Sequence, residues 1–316
     1  MIIKVLGSAA GGAFPQWNCN GAQSRAVRNG DPGFRPRTQA SVAVSGDGRR
    51  WVLLNCSPDI RQQILATPEL HPRADDGPRN SPIRAVVLTG AEIDHIAGLL
   101  SLRERQPYTI YATTRVLETL AANSIFDALD KRIVPRAALS LDTPIGLSEA
   151  GVDLGLIVEA FAVPGKIALY LERGTAGDGY GTDIGDTIGL KVTEAATGRY
   201  FFYIPGCAAI DRGLRQRLAT APLVFFDGTL YTDDELIVQG LSDKTGRRMG
   251  HVPVSGENGS LAAFATLNVH RRIYIHINNS NPILDEHSSQ RATVAQAGWE
   301  VAHDGLDVHT GNRVTR

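Results

Sequence analysis

The sequence predicts an α/β sandwich in which two similar halves pack face to face with helices outside. Three observations carry this. Short apolar strands alternate with helical stripes along the chain. An order of hairpin, helix and strand occurs twice, over residues 40–88 and again over 188–226, without repetition of sequence. Polar residues also gather at strand ends in both halves, at Asp94 and His95, at Cys207 and Asp227, and at His276. In such folds strand ends converge on one edge, where ligands sit.

The chain of 316 residues can bury a large core, and it reads as a single domain over 1–316. With 43% apolar and 21% charged residues and a formal net charge of −1, it has no general attraction to nucleic acid or to an anionic membrane. No apolar run approaches the ~18 residues of a membrane span, and no apolar leader opens the chain, so a cytoplasmic protein is expected. Cys19, Cys56 and Cys207 are odd in number and far apart, which argues against a disulfide framework and for reduced thiols.

Residues 1–7 read as a first strand. The Gly-rich stretch after it, Ser8 to Pro15, lacks both the Gly-Lys-Ser/Thr ending and the dinucleotide spacing, so its glycines serve close backbone approach rather than phosphate binding. Residues 18–36 carry almost no periodicity and read as loop. Residues 40–44 and 51–54 form a hairpin across Ser45-Gly46-Asp47-Gly48. Ser57, Pro58 and Asp59 then suit a helix start, with Ser57 as the cap. Further strands are expected at 108–111 and 156–163, a helix over 114–129, and extended structure over 167–171. Five glycines between 173 and 186 mark a lid or surface loop. Residues 188–193 and 199–204 make the second hairpin, followed by a helix at 212–219 and a strand at 223–226. Helices near 261–267 and 288–297 flank a strand at 272–275, and the stretch from Trp299 closes the fold.

The central stretch is 85–99. Ala85-Val86-Val87-Leu88 empties through Thr89-Gly90 into Asp94 and His95, while Ile93, Ile96, Leu99 and Leu100 follow at helical spacing. Asp94 and His95 together can bind a divalent cation, or be no more than a helix-starting carboxylate and a packed imidazole.

This stretch resembles the signature of the metallo-β-lactamase superfamily, a Thr followed by H-x-H-x-D-H and then Gly-Leu. Asp94, His95, Gly98 and Leu99 are in place, but Gly90 and Glu92 stand where the first two histidines would be. Further landmarks are similar to one family within it, the B proteins of pyrroloquinoline quinone (PQQ) biosynthesis. They are Gly7 to Asn18, Ser57 to Ile64, Ile204-Pro205-Gly206-Cys207, Phe226-Asp227-Gly228-Thr229, Met249-Gly250-His251, His276-Ile277-Asn278-Asn279 and Ala302 to Leu306, in order along nearly the whole chain.

The resemblance implies a metallo-β-lactamase-like αββα four-layer sandwich. It also implies that the first metal site of the superfamily is lost, since Gly165 or Lys166 stands near its third ligand position. The second site survives as Asp94, His95 and His276. Two imidazoles and a carboxylate with open positions suit non-haem Fe(II) binding O2, with Zn2+ as a substitute. The implied activity is an iron-dependent hydroxylase acting on a tyrosine-derived PQQ precursor. A carrier of PQQ or its precursor toward the periplasm is the alternative, and a metal-dependent hydrolase, which normally needs two metals, a third reading.

Asp227 falls near the metal as a supporting group or a fourth ligand, or else caps a turn. His251 hydrogen-bonds substrate or handles protons, or lies at the surface. His303 and Asp304 read as a pair that orients a ligating imidazole. A precursor built from a glutamate-tyrosine peptide is strongly anionic, so Lys244, Arg247 and Arg248, with Lys166 a weaker candidate, are assigned to its carboxylates. Where the family often has a C-x-C-x-x-C zinc knot, Cys19 is followed by Gly21 and Ser24, so a structural zinc is not expected. A homodimer is left open.

Overall fold

The structure, a computed structural model, describes residues 1–310 apart from the side chains of residues 176–178. The first half of the chain gives β1 (Ile2–Gly7), α1 (Ala22–Arg28), β2 (Ser41–Ser45), β3 (Trp51–Leu54), α2 (Ile60–Ala66), β4 (Ile83–Val87), α3 (Ile93–Ile96), β5 (Thr109–Thr113), α4 (Thr114–Ala122) and β6 (Arg136–Leu139). The second gives β7 (Ile145–Glu149), β8 (Val152–Ala162), β9 (Ile188–Glu194), β10 (Tyr200–Ile204), α5 (Arg212–Leu218), β11 (Val224–Asp227), α6 (Glu235–Val238), α7 (Ser260–Phe264), β12 (Arg272–Ile275), α8 (Ser289–Gln296), β13 (Trp299–Val301) and β14 (Asp307–His309).

These strands form two mixed sheets, ordered β14-β1-β2-β3-β4-β5-β6 and β13-β12-β11-β10-β9-β8-β7. The repeated order seen in the sequence is real in space. The antiparallel pair β2–β3 is followed by α2 and then by β4, parallel to β3, and β9–β10, α5 and β11 repeat that arrangement. At the end of the chain β14 crosses back to pair with β1.

Both faces of each sheet are covered, which is why the central strands read as continuous apolar runs. Alternate residues go to opposite faces. Leu54 and Val87 point between the sheets, where they meet Leu156, Leu190, Phe225 and Ile273. Leu53 and Val86 point outward, under Ile96, Leu99, Val116 and Leu120. On the other outer face Phe226 packs against Phe264 and Trp299, and Tyr274 stacks on Trp299 with centroids 3.9 Å apart. The result is the four-layer αββα sandwich. Truncating a residue such as Leu54 to Ala is expected to destabilise by about 2–5 kcal/mol.

Several local expectations are corrected. Residues 18–36 contain helix α1, which has no apolar stripe because Ser24 is its buried residue. It is held instead by Arg28, which donates to the carbonyls of Cys19 and Gln16. Ser57 does not cap α2: the N-cap is Asp59, and its carboxylate accepts from the backbone and side chain of Gln39, both at 2.9 Å. The predicted helix over 114–129 breaks at Asn123, whose amide donates to the Thr119 carbonyl at 2.8 Å. Leu169–Leu171 is a 3-10 turn rather than extended chain. The strands β6 and β7 were not expected, because Arg-Ala-Ala-Leu and Ile-Gly-Leu-Ser-Glu lack the β-branched runs that mark a strand.

Candidate metal centre

The end of β4 is fixed from beneath by Asn55, which sits at φ 60°. Its Oδ1 accepts from the Thr89 backbone N–H at 2.9 Å, and its Nδ2 donates to Thr89 Oγ1 at 2.9 Å. Seven residues after β4 ends, α3 presents Asp94 and His95. Gly98 then has to be glycine: a Cβ there would lie 2.0 Å from the Ser57 carbonyl oxygen. Across the cavity, His276 follows directly on β12 and adopts φ 58°, a conformation that costs a side-chain-bearing residue about 1 kcal/mol or more. Thr229 steadies the imidazole in that bend, since its hydroxyl lies 2.9 Å from His276 Nδ1.

Asp94, His95 and His276 thus converge, and their ligand atoms all lie within 4.8 Å of one another. His276 Nε2 is 2.8 Å from Asp94 Oδ2, and His95 Nε2 is 3.9 Å from the same oxygen. All three residues are buried. Burial opposes ionisation of Asp94, but the neighbouring His95 and the hydrogen bond from His276 hold its carboxyl well below the usual range. Burial pushes the His95 imidazole down to about 4. Burial also works against a charge on His276, yet the hydrogen bond to Asp94 and its charge raise this group above its usual value. An ionised carboxylate, a neutral imidazole and an imidazole whose proton bridges to that carboxylate are what a divalent cation needs, since it has only to displace the bridging proton. The donor set therefore fits a single metal ion.

A second carboxylate and imidazole stand beside this cluster. Asp227 is fully buried at the end of β11. Its Oδ2 accepts from Cys207 N–H at 2.9 Å and lies 2.7 Å from His251 Nδ1, while its Oδ1 accepts from Thr229 N–H at 3.0 Å and Thr229 Oγ1 at 2.7 Å. The ligand atoms of Asp227, His251 and His276 also lie within 4.8 Å of one another, but both Asp227 oxygens are already engaged by protein donors, an arrangement that suits orienting His251. The His251 ring stacks on His276 with centroids 5.1 Å apart. With Nδ1 taken by Asp227, the other nitrogen of His251 is left for the cavity.

The cavity over these groups has a volume of about 310 Å³. Lys166, Lys244 and Arg248 line it, as do Glu92 and Glu172. Lys166 Nζ reaches Glu92 at 3.3 Å and Glu172 at 3.0 Å, so the positions of the lost first-site ligands hold an ion pair. Two assignments need correction. Arg247 is exposed and turned away, donating to the Asn258 carbonyl at 3.3 Å. Asp304 does not reach the histidines: its carboxylate is taken by Thr38 N–H at 2.6 Å, Thr38 Oγ1 at 2.7 Å and Ser8 Oγ at 3.0 Å. It acts one step removed, by bracing the loop whose Gly11 runs against Asp94, where an added Cβ would meet the Asp94 carboxyl carbon at 3.7 Å. His303 turns its Nδ1 to the Asp304 carbonyl at 3.0 Å and is likewise outside the cavity. Asn55, Glu172 and Thr229 are not singled out by the sequence pattern. Of these, Thr229 carried a signal, lying two residues beyond a strand-end aspartate.

Two facing mixed sheets with a polar cluster at their strand ends define a protein of the beta-lactamase superfamily, whose domain profile matches residues 50–277. A narrower kinship follows from whole-chain comparisons. Coenzyme PQQ synthesis protein B of Gluconacetobacter diazotrophicus is 53% identical over 309 residues, covering 98% of this chain and 99% of that protein. The protein of the same name from Xanthomonas euvesicatoria is 53% identical over 308 residues, with 98% and 99% covered. The crystal structure of Zn2+-bound PqqB from Methylobacterium extorquens superposes with a TM-score of 0.90 at 46% identity, covering 98% of this chain and 100% of that one. A diphosphatase of the PhnP family shares the fold alone, with a TM-score of 0.66 at 20% identity over 97% of this chain and 96% of that one. This chain belongs to the coenzyme PQQ synthesis protein B family.

Proposed function

We propose that this protein acts in PQQ biosynthesis in the cytoplasm, as a non-haem Fe(II)-dependent hydroxylase of the tyrosine-derived ring of a small anionic PQQ precursor. The observation that carries the reading is the convergence of one carboxylate and two imidazoles, Asp94, His95 and His276, in protonation states suited to a single cation. A ferrous ion held by them would supply oxygen binding and electrons, with O2 as cosubstrate. Zn2+ can occupy the same ligands without that redox chemistry, and the PqqB of M. extorquens was crystallised with Zn2+.

The remaining residues have roles that do not depend on which metal is loaded. His251, whose Nδ1 is engaged by Asp227, would take or return a proton at the ring hydroxyl through its other nitrogen. Thr229 holds His276 in its strained bend and ties it to Asp227. Lys244 lines the cavity and makes no ion pair among the described residues, which suits it to meet a substrate carboxylate. A hydrolase reading is disfavoured because Asp227, the group nearest to a second metal position, has both oxygens committed to protein donors.

Anaerobic reconstitution with Fe(II), followed by oxygen-uptake measurement with a precursor analogue, tests the reading. Oxygen consumption matched by hydroxylated product is expected. Binding of the analogue with no oxygen consumed would contradict it and leave the carrier role.

A further inference from the structure

Glu172 is a cavity residue to which the proposed hydroxylation assigns no role. Arg248 donates to it through both terminal nitrogens, at 3.0 and 2.7 Å, and Lys166 donates through Nζ at 3.0 Å. The Arg248 guanidinium also lies 3.6 Å from the centroid of the Tyr180 ring. A forked guanidinium backed by an aromatic face, with an ammonium beside it, is the arrangement by which proteins recognise the carboxylate of a ligand. Here the chain itself supplies the carboxylate. The hydrogen bonds from Arg248 hold Glu172 down to about 2, so it remains charged throughout the neutral range.

We propose that Glu172 is an internal stand-in for a ligand carboxylate, occupying Arg248 and Lys166 until a carboxylate of the bound molecule displaces it. This rests on the reading that the cavity takes a carboxylate-bearing ligand. Three features make exchange feasible. Glu172 lies outside any strand or α-helix, just after the turn Leu169–Leu171 and before the exposed Arg173 and Gly174, so its side chain can leave without breaking a ladder. Lys166 stays paired with Glu92 when it does. Arg248 has Glu172 as its ion-pair partner among the described residues, so it passes whole to the incoming group.

The exchange also sets specificity. Trading one carboxylate for another at Arg248 is close to neutral, and an uncharged molecule cannot compete. A ligand gains only by placing a second carboxylate elsewhere in the cavity. Lys244 offers that second contact, since it lines the cavity and makes no ion pair among the described residues. The cavity therefore selects small molecules carrying two or more separated carboxylates.

The test compares binding of PQQ with binding of its trimethyl ester to the full-length protein, at fixed ionic strength. In Glu172→Gln the affinity for PQQ should rise about tenfold and that for the ester stay level. Glu172→Asp keeps the charge but reaches Arg248 and Lys166 less well, so it should show a smaller gain, and it decides the matter if Glu172→Gln does not fold. In an Arg248→Gln background the gain from Glu172→Gln should vanish. Unchanged or weakened PQQ binding in Glu172→Gln, or a gain that survives loss of Arg248, overturns the proposal. If Lys244→Ala weakens PQQ binding while Glu172→Gln brings no gain, the stand-in is wrong and the carboxylate-binding cavity stands. If acid and ester bind equally in every variant, the carboxylate reading itself fails.

Discussion

The two halves of the molecule end equivalent strands in different ways. Both β4 and β11 follow an antiparallel hairpin and a helix and lie parallel to the strand before that helix. Beyond β4, the carboxylate of Asp94 meets His276 and His95 through one oxygen and stays open to the cavity. At the end of β11, the carboxylate of Asp227 is closed off by Cys207, Thr229 and His251. One aspartate is left free to bind, and the other is committed to holding. The difference shows that a strand end gives a residue its location, while the donors around it decide whether it is a ligand or a support.

That contrast is open to direct attack. Asp94→Ala is expected to have the largest effect, weakening metal binding by more than about a hundredfold, because two imidazoles alone hold a divalent cation poorly; equilibrium dialysis against the metal measures it. Asp227→Asn should leave metal affinity within about tenfold while lowering turnover by about a hundredfold, since His251 loses the charge that orients it. Equal metal loss in both variants would erase the distinction. His251→Ala should behave like Asp227→Asn, retaining metal and losing turnover.

A smaller effect follows from the proton on His276. Its pKa is raised above 6.5 by Asp94, so below that raised value a cation must displace a proton, whereas above it the imidazole is already free. Metal affinity should therefore fall by about tenfold for each pH unit below the raised value and level off above it. An affinity that does not change with pH would remove His276 from the ligand set.

Away from the cluster the consequences become structural. Asp304→Ala leaves the Thr38 backbone N–H and the Ser8 hydroxyl without their acceptor and is expected to destabilise by about 1–3 kcal/mol, read as a lower melting temperature. Arg247→Gln is expected to leave substrate affinity unchanged, whereas Lys244→Ala should weaken it.

The sequence made the sandwich legible because each half repeats a strong local pattern, an apolar hairpin followed by a helix and an apolar strand. It did not reveal α1, whose stability comes from arginine contacts to loop carbonyls rather than from an apolar stripe. Asp94 and His95 could be read because they sit in an ordered motif, and His276 because it ends a strand. The roles of Arg247 and Asp304 were misjudged since charge and adjacency say nothing of direction: Arg247 faces an outer carbonyl, and Asp304 is consumed by a loop more than two hundred residues earlier in the chain. Glu172 was hidden for the same reason, as an acid in a Gly-rich stretch gives no sign of the two cations it meets.

The central claim is that Asp94, His95 and His276 hold one metal ion while Asp227 and His251 hold none. Anaerobic titration with Fe(II), counting bound iron per chain in the parent, His276→Ala and His251→Ala, tests it most directly. The account predicts one iron per chain in the parent and in His251→Ala, and none tightly held in His276→Ala. Two irons per parent chain, or full loading of His276→Ala, would contradict it.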